Sequence, residues 1–209
     1  MLPIFPLPTA ALFPGTALPL HVFEPRYRDL VRDALAGNRA LAVARLKPGF
    51  EPSYAERPAV FDVCGAGVIV DHRELEDGRY DILLRGVTRV RILNEHAPLQ
   101  TYRLVNAEPL SDLPVSDELA AAFHERLRSI WPALAPHLPE ATRDLAKFTR
   151  GADGAGPLSD RLAAALFGEP ELTQRLLSEL DPAERLRLIT DELQEISERL
   201  SVRPRKALN

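Results

Sequence analysis

The chain has 209 residues, of which 45% are hydrophobic and 27% are charged, so it can bury a core and is neither fibrous nor disordered throughout. Its 26 basic residues are outnumbered by 30 acidic ones, and the net charge of −4 argues against a protein that works mainly on nucleic acid or anionic lipid. A single cysteine, Cys64, excludes an intrachain disulfide and a cysteine-based zinc site.

The first 25 residues contain six of the 19 prolines and are otherwise mostly apolar. They lack a basic N-terminal region, and prolines interrupt each apolar run, so they predict neither a targeting signal nor a membrane span of about 20 apolar residues. We therefore expect a cytoplasmic protein that uses these prolines in edge strands and turns. A helix follows, with Pro25 at its first position, apolar residues at helical spacing, and Gly37 as its stop.

Short runs of β-branched and apolar residues dominate the rest of the first half. Asp77-Gly78 separates two of these runs and predicts a hairpin turn, because glycine adopts positive φ without steric cost. The runs predict strands over residues 40–46, 60–70, 80–84, 87–93 and 102–108.

The second half has helical periodicity, and its last helix has the strongest signals. Asp181 is a candidate cap, Pro182 stands at the first helical position, and Glu184 is placed to complete a capping box. We expect a glycine-rich loop over 151–156 and a frayed basic tail over 203–206. Helices are predicted over residues 117–130, 140–149, 159–167, 171–180 and 182–200.

Charge and periodicity change near the same position. Residues 1–110 carry 13 basic and 13 acidic residues, whereas residues 111–209 carry 13 basic and 17 acidic ones. The sequence therefore predicts an α+β chain, with a β-rich domain over 1–110 and an α-helical bundle over 111–209.

Residues with catalytic or ligand-binding potential are sparse. The five histidines show no metal-binding spacing, and Cys64 lies in an apolar run, where we expect a buried and inert thiol. Gly65-Ala66-Gly67 begins like a dinucleotide fingerprint, but a strand follows where that fingerprint needs a helix. The sequence has no phosphate-binding loop and no serine nucleophile elbow. It therefore predicts no catalytic residue, no metal and no cofactor.

Two features remain as candidate binding surfaces. In the loop over 47–57, Phe50 and Tyr54 are expected to be exposed and to contact polypeptide, with packing back onto the sheet as the alternative. A set of arginines with Tyr80 and Tyr102 could form an RNA platform, although a solvated face paired with acidic side chains is favoured in an acidic chain. These arginines are Arg79, Arg85, Arg89, Arg91 and Arg103. Apolar and polar residues alternate over 87–92, which predicts that Arg89 and Arg91 lie on one solvated face of a strand.

Two motifs carry a resemblance to a known family. Residues 13–27 combine a Phe-Pro-Gly turn, a Leu-Pro-Leu strand and a Phe-Glu-Pro-Arg-Tyr helix start, and residues 77–92 combine Asp-Gly-Arg-Tyr with a Leu-Leu-Arg-Gly-Val-Thr-Arg-Val-Arg-Ile run. Together they resemble the N-terminal substrate-binding domain of Lon proteases, in the peptidase S16 family, and the likeness continues at 102–108 and 181–193. We expect structural roles for the motif residues Pro14, Gly15, Phe23, Glu24, Arg26, Tyr27, Gly78 and Gly86.

Those structural roles differ between the motif positions. Gly15 and Gly86 are expected in turns, and Phe23 is expected in the core with the other apolar residues of its strand. Glu24 is expected to favour the positive end of the helix dipole and to be buried and anchored to the backbone there, and Arg26 or Arg28 could pair with nearby acidic side chains.

The resemblance implies a PUA-like β-barrel with one inserted helix, followed by a helical bundle, and it implies recognition of protein substrates rather than their cleavage. Full Lon proteases add an ATPase and a Ser-Lys peptidase module, for which we expect no room in 209 residues.

The leading hypothesis is therefore a non-enzymatic module that binds unfolded or exposed apolar segments, as an adaptor or regulator of proteolysis, with a protease or chaperone as further partners. An RNA-binding protein and a hydrolase with an unrecognised site are the alternatives.

Overall fold

The computed structural model describes residues 1–202, which form six strands and seven α-helices in a mixed α+β chain. Two compact units are present: residues 1–111 together with 167–178, and residues 112–166 together with the described chain from 179. The predicted division at residue 110 placed 167–178 with the helices, whereas this segment belongs to the sheet unit. The basic tail over 203–206 lies outside the described residues. Within residues 1–202, no helix is both long enough and apolar enough to cross a membrane.

The six strands of the first unit form one hydrogen-bonded sheet, and five of them pair in a closed ring. The elements are β1 (Leu2–Leu7), β2 (Ala17–Val22), α1 (Pro25–Ala36), β3 (Ala40–Arg45), β4 (Val63–Glu74), β5 (Tyr80–Glu95) and β6 (Arg103–Leu110). The strand order is β2-β5-β4-β3-β1-β6, and β6 also pairs with β5, so five strands form a closed ring and β2 extends it at β5. β1 and β3 are parallel, and the other neighbours are antiparallel.

β3 is buried on both of its faces, which explains its almost continuous apolar sequence. Leu41 and Val43 pack in the same core cluster as Leu30 of α1, while Ala42 and Ala44 belong to a second cluster on the opposite side. The inserted helix therefore covers one face of the sheet, as the alternation of side chains along the strand allows.

The predicted strands over 80–84 and 87–93 are one strand, β5, with a register shift beside Gly86. Gly86 does not form the turn that the motif suggested, because it lies within the strand and is not among the residues with positive φ. An added Cβ at Gly86 would overlap the carbonyl oxygen of Phe13, and one at Gly65 would overlap that of Leu12. These two glycines therefore allow the chain at residues 12–13 to cross the sheet in close contact.

The turn between β1 and β2 contains Gly15, whose backbone has a left-handed conformation. Gly15 has φ 72°, and the backbone N–H of Thr16 donates to the carbonyl of Phe13 at 3.2 Å. With Pro14 before it, this glycine stands where a type II turn requires positive φ.

Phe23 does not join the core, contrary to the prediction. β2 ends at Val22, whose side chain is buried, so the next side chain points outward, and 60% of Phe23 is exposed. Its ring stacks on that of His21, with the centroids 6.3 Å apart.

Helix α6 (Pro170–Ser178) belongs to the first unit because three buried side chains bind it to the sheet. Arg45 donates to the carbonyl of Pro170 at 2.5 Å and to the Glu171 carboxylate at 2.7 Å. Two further bonds join residues distant in sequence: Arg89 donates to the carbonyl of Leu177 at 2.9 Å, and Gln174 donates to that of Val63 at 3.0 Å. Helical periodicity predicts such a helix but not the surface that it covers.

The second unit has a core formed by three of its helices. Its elements are α2 (Asp117–Leu134), α3 (Glu140–Arg143), α4 (Leu145–Thr149), α5 (Ala155–Leu166) and α7 (Pro182–Val202). α7 packs against α2 and α5, and Leu186, Ile189 and Leu193 of its predicted apolar stripe are buried. α5 begins at Ala155, inside the segment that was predicted to be a loop.

The start of α7 is capped differently from the prediction. Asp181 does accept a hydrogen bond from the backbone N–H of Ala183 at 2.9 Å. However, the backbone N–H of Asp181 donates to Glu179 at 2.9 Å, and Glu184 forms an ion pair with Arg187 at 2.6 Å. Glu179 thus takes the role that the predicted capping box gave to Glu184.

Candidate functional site

The loop between β3 and β4 contains the two aromatic residues that were predicted to contact polypeptide. It includes a short 3₁₀ turn over Glu51–Ser53. Phe50 and Tyr54 are both half-buried rather than fully exposed, and their ring centroids lie 6.0 Å apart. The two rings therefore support each other and still present part of their surface to solvent.

The loop is fixed to the start of α1 by contacts between Tyr54 and two motif residues. The Tyr54 hydroxyl donates to Glu24 at 2.6 Å, and the Arg26 guanidinium donates to the Tyr54 carbonyl at 3.2 Å. Arg26 also pairs with Glu24 at 3.0 Å and lies over the Tyr54 ring at 5.0 Å. Burial, and next the hydrogen bond to Glu24, raises the pKa of Tyr54 above its usual value.

These contacts give Glu24 a role that differs from the prediction. Its side chain forms no capping bond with the helix backbone and instead joins Arg26 and Tyr54. The structure thus brings together two features of the sequence, the helix-start motif and the aromatic loop, through residues 30 positions apart.

A cleft of about 270 Å³ opens beside this loop. One wall comes from residues 55–57 of the loop, another from Arg26 and Tyr27 of α1, and the rest from Pro98 and residues 100–103 between β5 and β6. Phe50 and Tyr54 do not line the cleft themselves. Tyr54 instead positions the wall formed by residues 55–57, because its contacts with Glu24 and Arg26 fix the loop to the start of α1.

The wall between β5 and β6 is attached to α1 by two hydrogen bonds. Thr101 donates to Asp29 at 2.8 Å, and the Tyr102 hydroxyl donates to Asp33 at 2.9 Å. The bond from Thr101 is the largest cause that lowers the pKa of Asp29. Leu99 does not line the cleft, but it lies between the lining residues Pro98 and Gln100 and is 70% exposed, which places an apolar side chain at the rim.

The arginines of the cleft are paired within the unit. Arg103 donates to both carboxylate oxygens of Glu95, at 2.9 and 2.7 Å, and Arg57 donates to the same carboxylate at 2.7 Å. Arg103 also donates to the carbonyl of Pro58 at 2.7 Å. These bonds hold the loop and the β5–β6 segment together and reduce the net charge of the cleft.

Tyr102 is expected to ionise only at high pH because of this environment. Burial, and next the hydrogen bond to Asp33, raises its pKa from 10 to about 12. Since the folded pKa exceeds the unfolded value, the contribution of Tyr102 to stability is complete below pH 10 and is lost as the pH rises to about 12. Phenolate absorbance of the wild type minus that of Tyr102→Phe should show an ionisation centred well above pH 10, and a midpoint near 10 would contradict this.

The arginines proposed for an RNA platform do not form a free cationic face. Arg89 is 2% exposed and is directed to α6, contrary to its predicted place on a wet face beside Arg91. Arg91 lies 3.7 Å from Glu108, and Arg79 pairs with Asp77 at 2.6 Å. The alternation along β5 was misleading because α6 covers part of the face that it predicted to be solvated.

The remaining candidate chemistry lies outside this cleft. Cys64 is buried in β4, and burial raises the pKa of its thiol to about 12. Within the part of the chain that the structure describes, no group of three or more His, Cys, Asp or Glu side chains is placed to hold a metal ion.

Fold and site together define an α+β domain in which a strand ladder and its attached helices hold a surface cleft between two loops. The chain belongs to the ATP-dependent protease La (LON) substrate-binding domain family, whose model matches residues 1–195. This membership confirms the resemblance that the two sequence motifs carried.

Curated relatives and solved structures agree with this family. The chain is 31% identical to Lon protease 4 of Sorangium cellulosum over 200 residues, which cover 93% of this chain and 24% of the relative. It is also 31% identical to the Lon protease of Roseiflexus castenholzii over 209 residues, which cover 97% of this chain and 25% of the relative. The chain thus spans about a quarter of the length of the curated relatives that it matches.

Two solved structures have a similar fold. The N-terminal domain of the Mycobacterium avium complex Lon protease superposes with a TM-score of 0.73 at 18% identity, covering 93% of this chain and 98% of that one. The Lon N-terminal domain protein from Xanthomonas campestris superposes with a TM-score of 0.60 at 27% identity, covering 91% of this chain and 96% of that one.

Proposed function

We propose that this chain is a non-catalytic recognition module that binds unfolded polypeptide segments with apolar side chains, as an adaptor or regulator of proteolysis. The family description as a substrate-binding domain supports this role. The observation that carries it is the junction of Tyr54, Glu24 and Arg26, which positions the aromatic loop as a wall of the cleft. The closed ladder of five strands supports a PUA-like barrel as the scaffold of this surface.

Apolar segments are the ligands that this surface fits best. Leu99 at the rim and the half-buried rings of Phe50 and Tyr54 offer apolar area beside a polar cleft, which is typical of protein-binding sites. Arg57 and Arg103 both bind the Glu95 carboxylate, and Arg26 pairs with Glu24, so the arginines around the cleft are engaged within the unit and favour acidic segments less than free guanidinium groups would.

Fluorescence anisotropy with labelled, reduced and carboxymethylated α-lactalbumin tests this function. We expect saturable binding to the wild type and an increase in Kd of about tenfold or more for the Phe50→Ser, Tyr54→Ser double variant, equivalent to about 1.4 kcal/mol. Leu99→Ser should weaken binding in the same direction, because it removes apolar area at the rim.

Leu113→Ser provides the matched control, because Leu113 is a 55% exposed leucine of the second unit. Its Kd should equal that of the wild type, and thermal unfolding should show that every variant is folded at the assay temperature. Absence of binding to the wild type, or equal affinities of all four proteins, would contradict the proposal.

A further inference from the structure

The second unit contains a larger groove, with a volume of about 630 Å³. One wall is a stripe formed by His124, Arg128 and Trp131 of α2 together with Ala135, the residue that follows its end, and their spacing of three and four residues places them on one helical face. Residues 143–146 and Thr149, from the α3–α4 segment, form the other wall. The groove lies within one compact unit and is separate from the cleft beside Tyr54.

Trp131 is a rigid and almost fully buried part of the groove lining. Its side chain is buried, its indole N–H donates to the carbonyl of Arg143 at 2.9 Å, and its ring stacks on Phe148 with the centroids 6.1 Å apart. The hydrogen bond and the stacking fix the ring, which supports the groove from beneath, and the more exposed lining residues Pro132 and Leu145 offer apolar area to a ligand on this ordered base.

The groove carries more positive than negative charge. Arg128 is 64% exposed, and its ion pair with Glu125 at 3.2 Å is exposed as well, so a ligand can replace it at small cost. Arg143 uses its Nε to donate to the carbonyl of Leu138, and its guanidinium has further N–H donors. Asp144 is the carboxylate of the lining, and it accepts a hydrogen bond from the backbone of Lys147 as a helix cap.

The length of the groove indicates a segment of chain rather than a single terminal residue. From residue 124 to its end at Leu134, α2 extends for about 15 Å at 1.5 Å per residue. About five extended residues cover that distance. Pro132, which also lines the groove, cannot donate to the carbonyl of Arg128, so this carbonyl lacks its regular helical donor and is a candidate acceptor for the segment.

We propose that this groove docks an internal acidic segment of a polypeptide. An aliphatic side chain packs against Pro132 and Leu145 beside the buried Trp131, and Asp or Glu carboxylates pair with Arg128 and Arg143. The apolar lining fits the aliphatic side chain, and the two guanidinium groups fit the carboxylates. This positively charged groove lies in the half of the chain whose total charge is negative. The protein thus has a second binding surface, with a stronger preference for acidic segments than the cleft in the first unit.

Trp131 is the only tryptophan of the chain, so its fluorescence reports on this groove directly. The full chain is titrated with a blocked peptide of leucine and glutamate that contains no tryptophan or tyrosine. We expect a saturable change in Trp131 emission and a Kd that rises with salt, because exposed charge pairs are screened. The same peptide with glutamine in place of glutamate should bind at least about tenfold more weakly.

Variants test whether the peptide binds in this groove or elsewhere on the molecule. The Arg128→Gln, Arg143→Gln double variant should weaken peptide binding about tenfold or more. Arg199→Gln, which removes an exposed charge from α7, should bind as the wild type does. The Phe50→Ser, Tyr54→Ser variant should also keep its affinity for this peptide, so failure here is distinguishable from failure of the proposed function.

Three outcomes would overturn the proposal. The first is an unchanged Trp131 emission, and the second is equal affinity for the glutamate and glutamine peptides. The third is binding only by a glutamine-leucine peptide with a free C-terminal carboxylate, which would assign the groove to chain ends.

Discussion

Replacing Arg185 with leucine is expected to destabilise the second unit by about 3–5 kcal/mol, because it removes the arginine partner of the buried Asp160 carboxylate and of the partly exposed Asp112. The Arg185 side chain is fully buried and donates to both oxygens of Asp112, at 2.8 and 2.5 Å. It also donates to Ser159 at 2.9 Å and lies 3.6 Å from Asp160, which is 3% exposed. Leucine cannot replace any of these bonds.

Urea denaturation followed by Trp131 fluorescence measures this effect, because the only tryptophan lies in the second unit. Arg187→Leu is the matched control, two residues away on the same helix. Arg187 pairs with Glu184 and Asp191 on an exposed surface, where ion pairs contribute about 0–1 kcal/mol. Similar unfolding free energies for the two variants would show that the buried ion cluster does not stabilise this unit.

Replacing Gly86 with alanine is expected to destabilise the first unit by about 3 kcal/mol or more, the upper end of the range for overpacking. The added Cβ would overlap the carbonyl oxygen of Phe13. Because the obstacle is main chain rather than a flexible side chain, the strand and the crossing segment must move apart. That movement would open the core around Leu12, which is fully buried.

Cys64 provides the readout for the first unit, because it is buried in β4 and the pKa of its thiol is raised to about 12. Its reaction with a disulfide reagent therefore depends on opening of the fold. Gly86→Ala should react much faster than the wild type. Gly168→Ala, in the same unit and with nothing within 4 Å of the added Cβ, should react at the wild-type rate. Equal rates for the two variants would contradict the close crossing.

Local patterns predict most of the elements, because helix periodicity and turn residues act within a few positions. They cannot predict where α6 packs, since that depends on Arg45, Arg89 and Gln174, whose partners lie between 88 and 126 residues away. Arg89 was predicted on a solvated face for the same reason, because nothing near it in the sequence indicates that α6 covers it. Phe23 was misplaced because its apolar character suggested burial, whereas the end of β2 directs it outward.

The candidate site was predicted only in part. Composition identified Phe50 and Tyr54 as loop aromatics, and the motif identified Glu24 and Arg26, but the sequence contains no signal that joins the two groups. The hydrogen bond between Tyr54 and Glu24, and that between Tyr102 and Asp33, form only after the sheet brings their segments together. The cleft is therefore a product of tertiary contacts, and no run of neighbouring residues encodes it.

Site-specific photo-crosslinking tests the proposed binding surface most directly. A benzophenone-bearing amino acid is placed at Leu99 on the rim of the cleft or, as the control, at Leu113 of the second unit, both exposed positions. Labelled unfolded α-lactalbumin should crosslink from position 99, lose this crosslink when unlabelled polypeptide competes, and show only background from position 113. Equal crosslinking from both positions, or crosslinking from position 113 alone, would contradict the assignment of the cleft as the polypeptide-binding site.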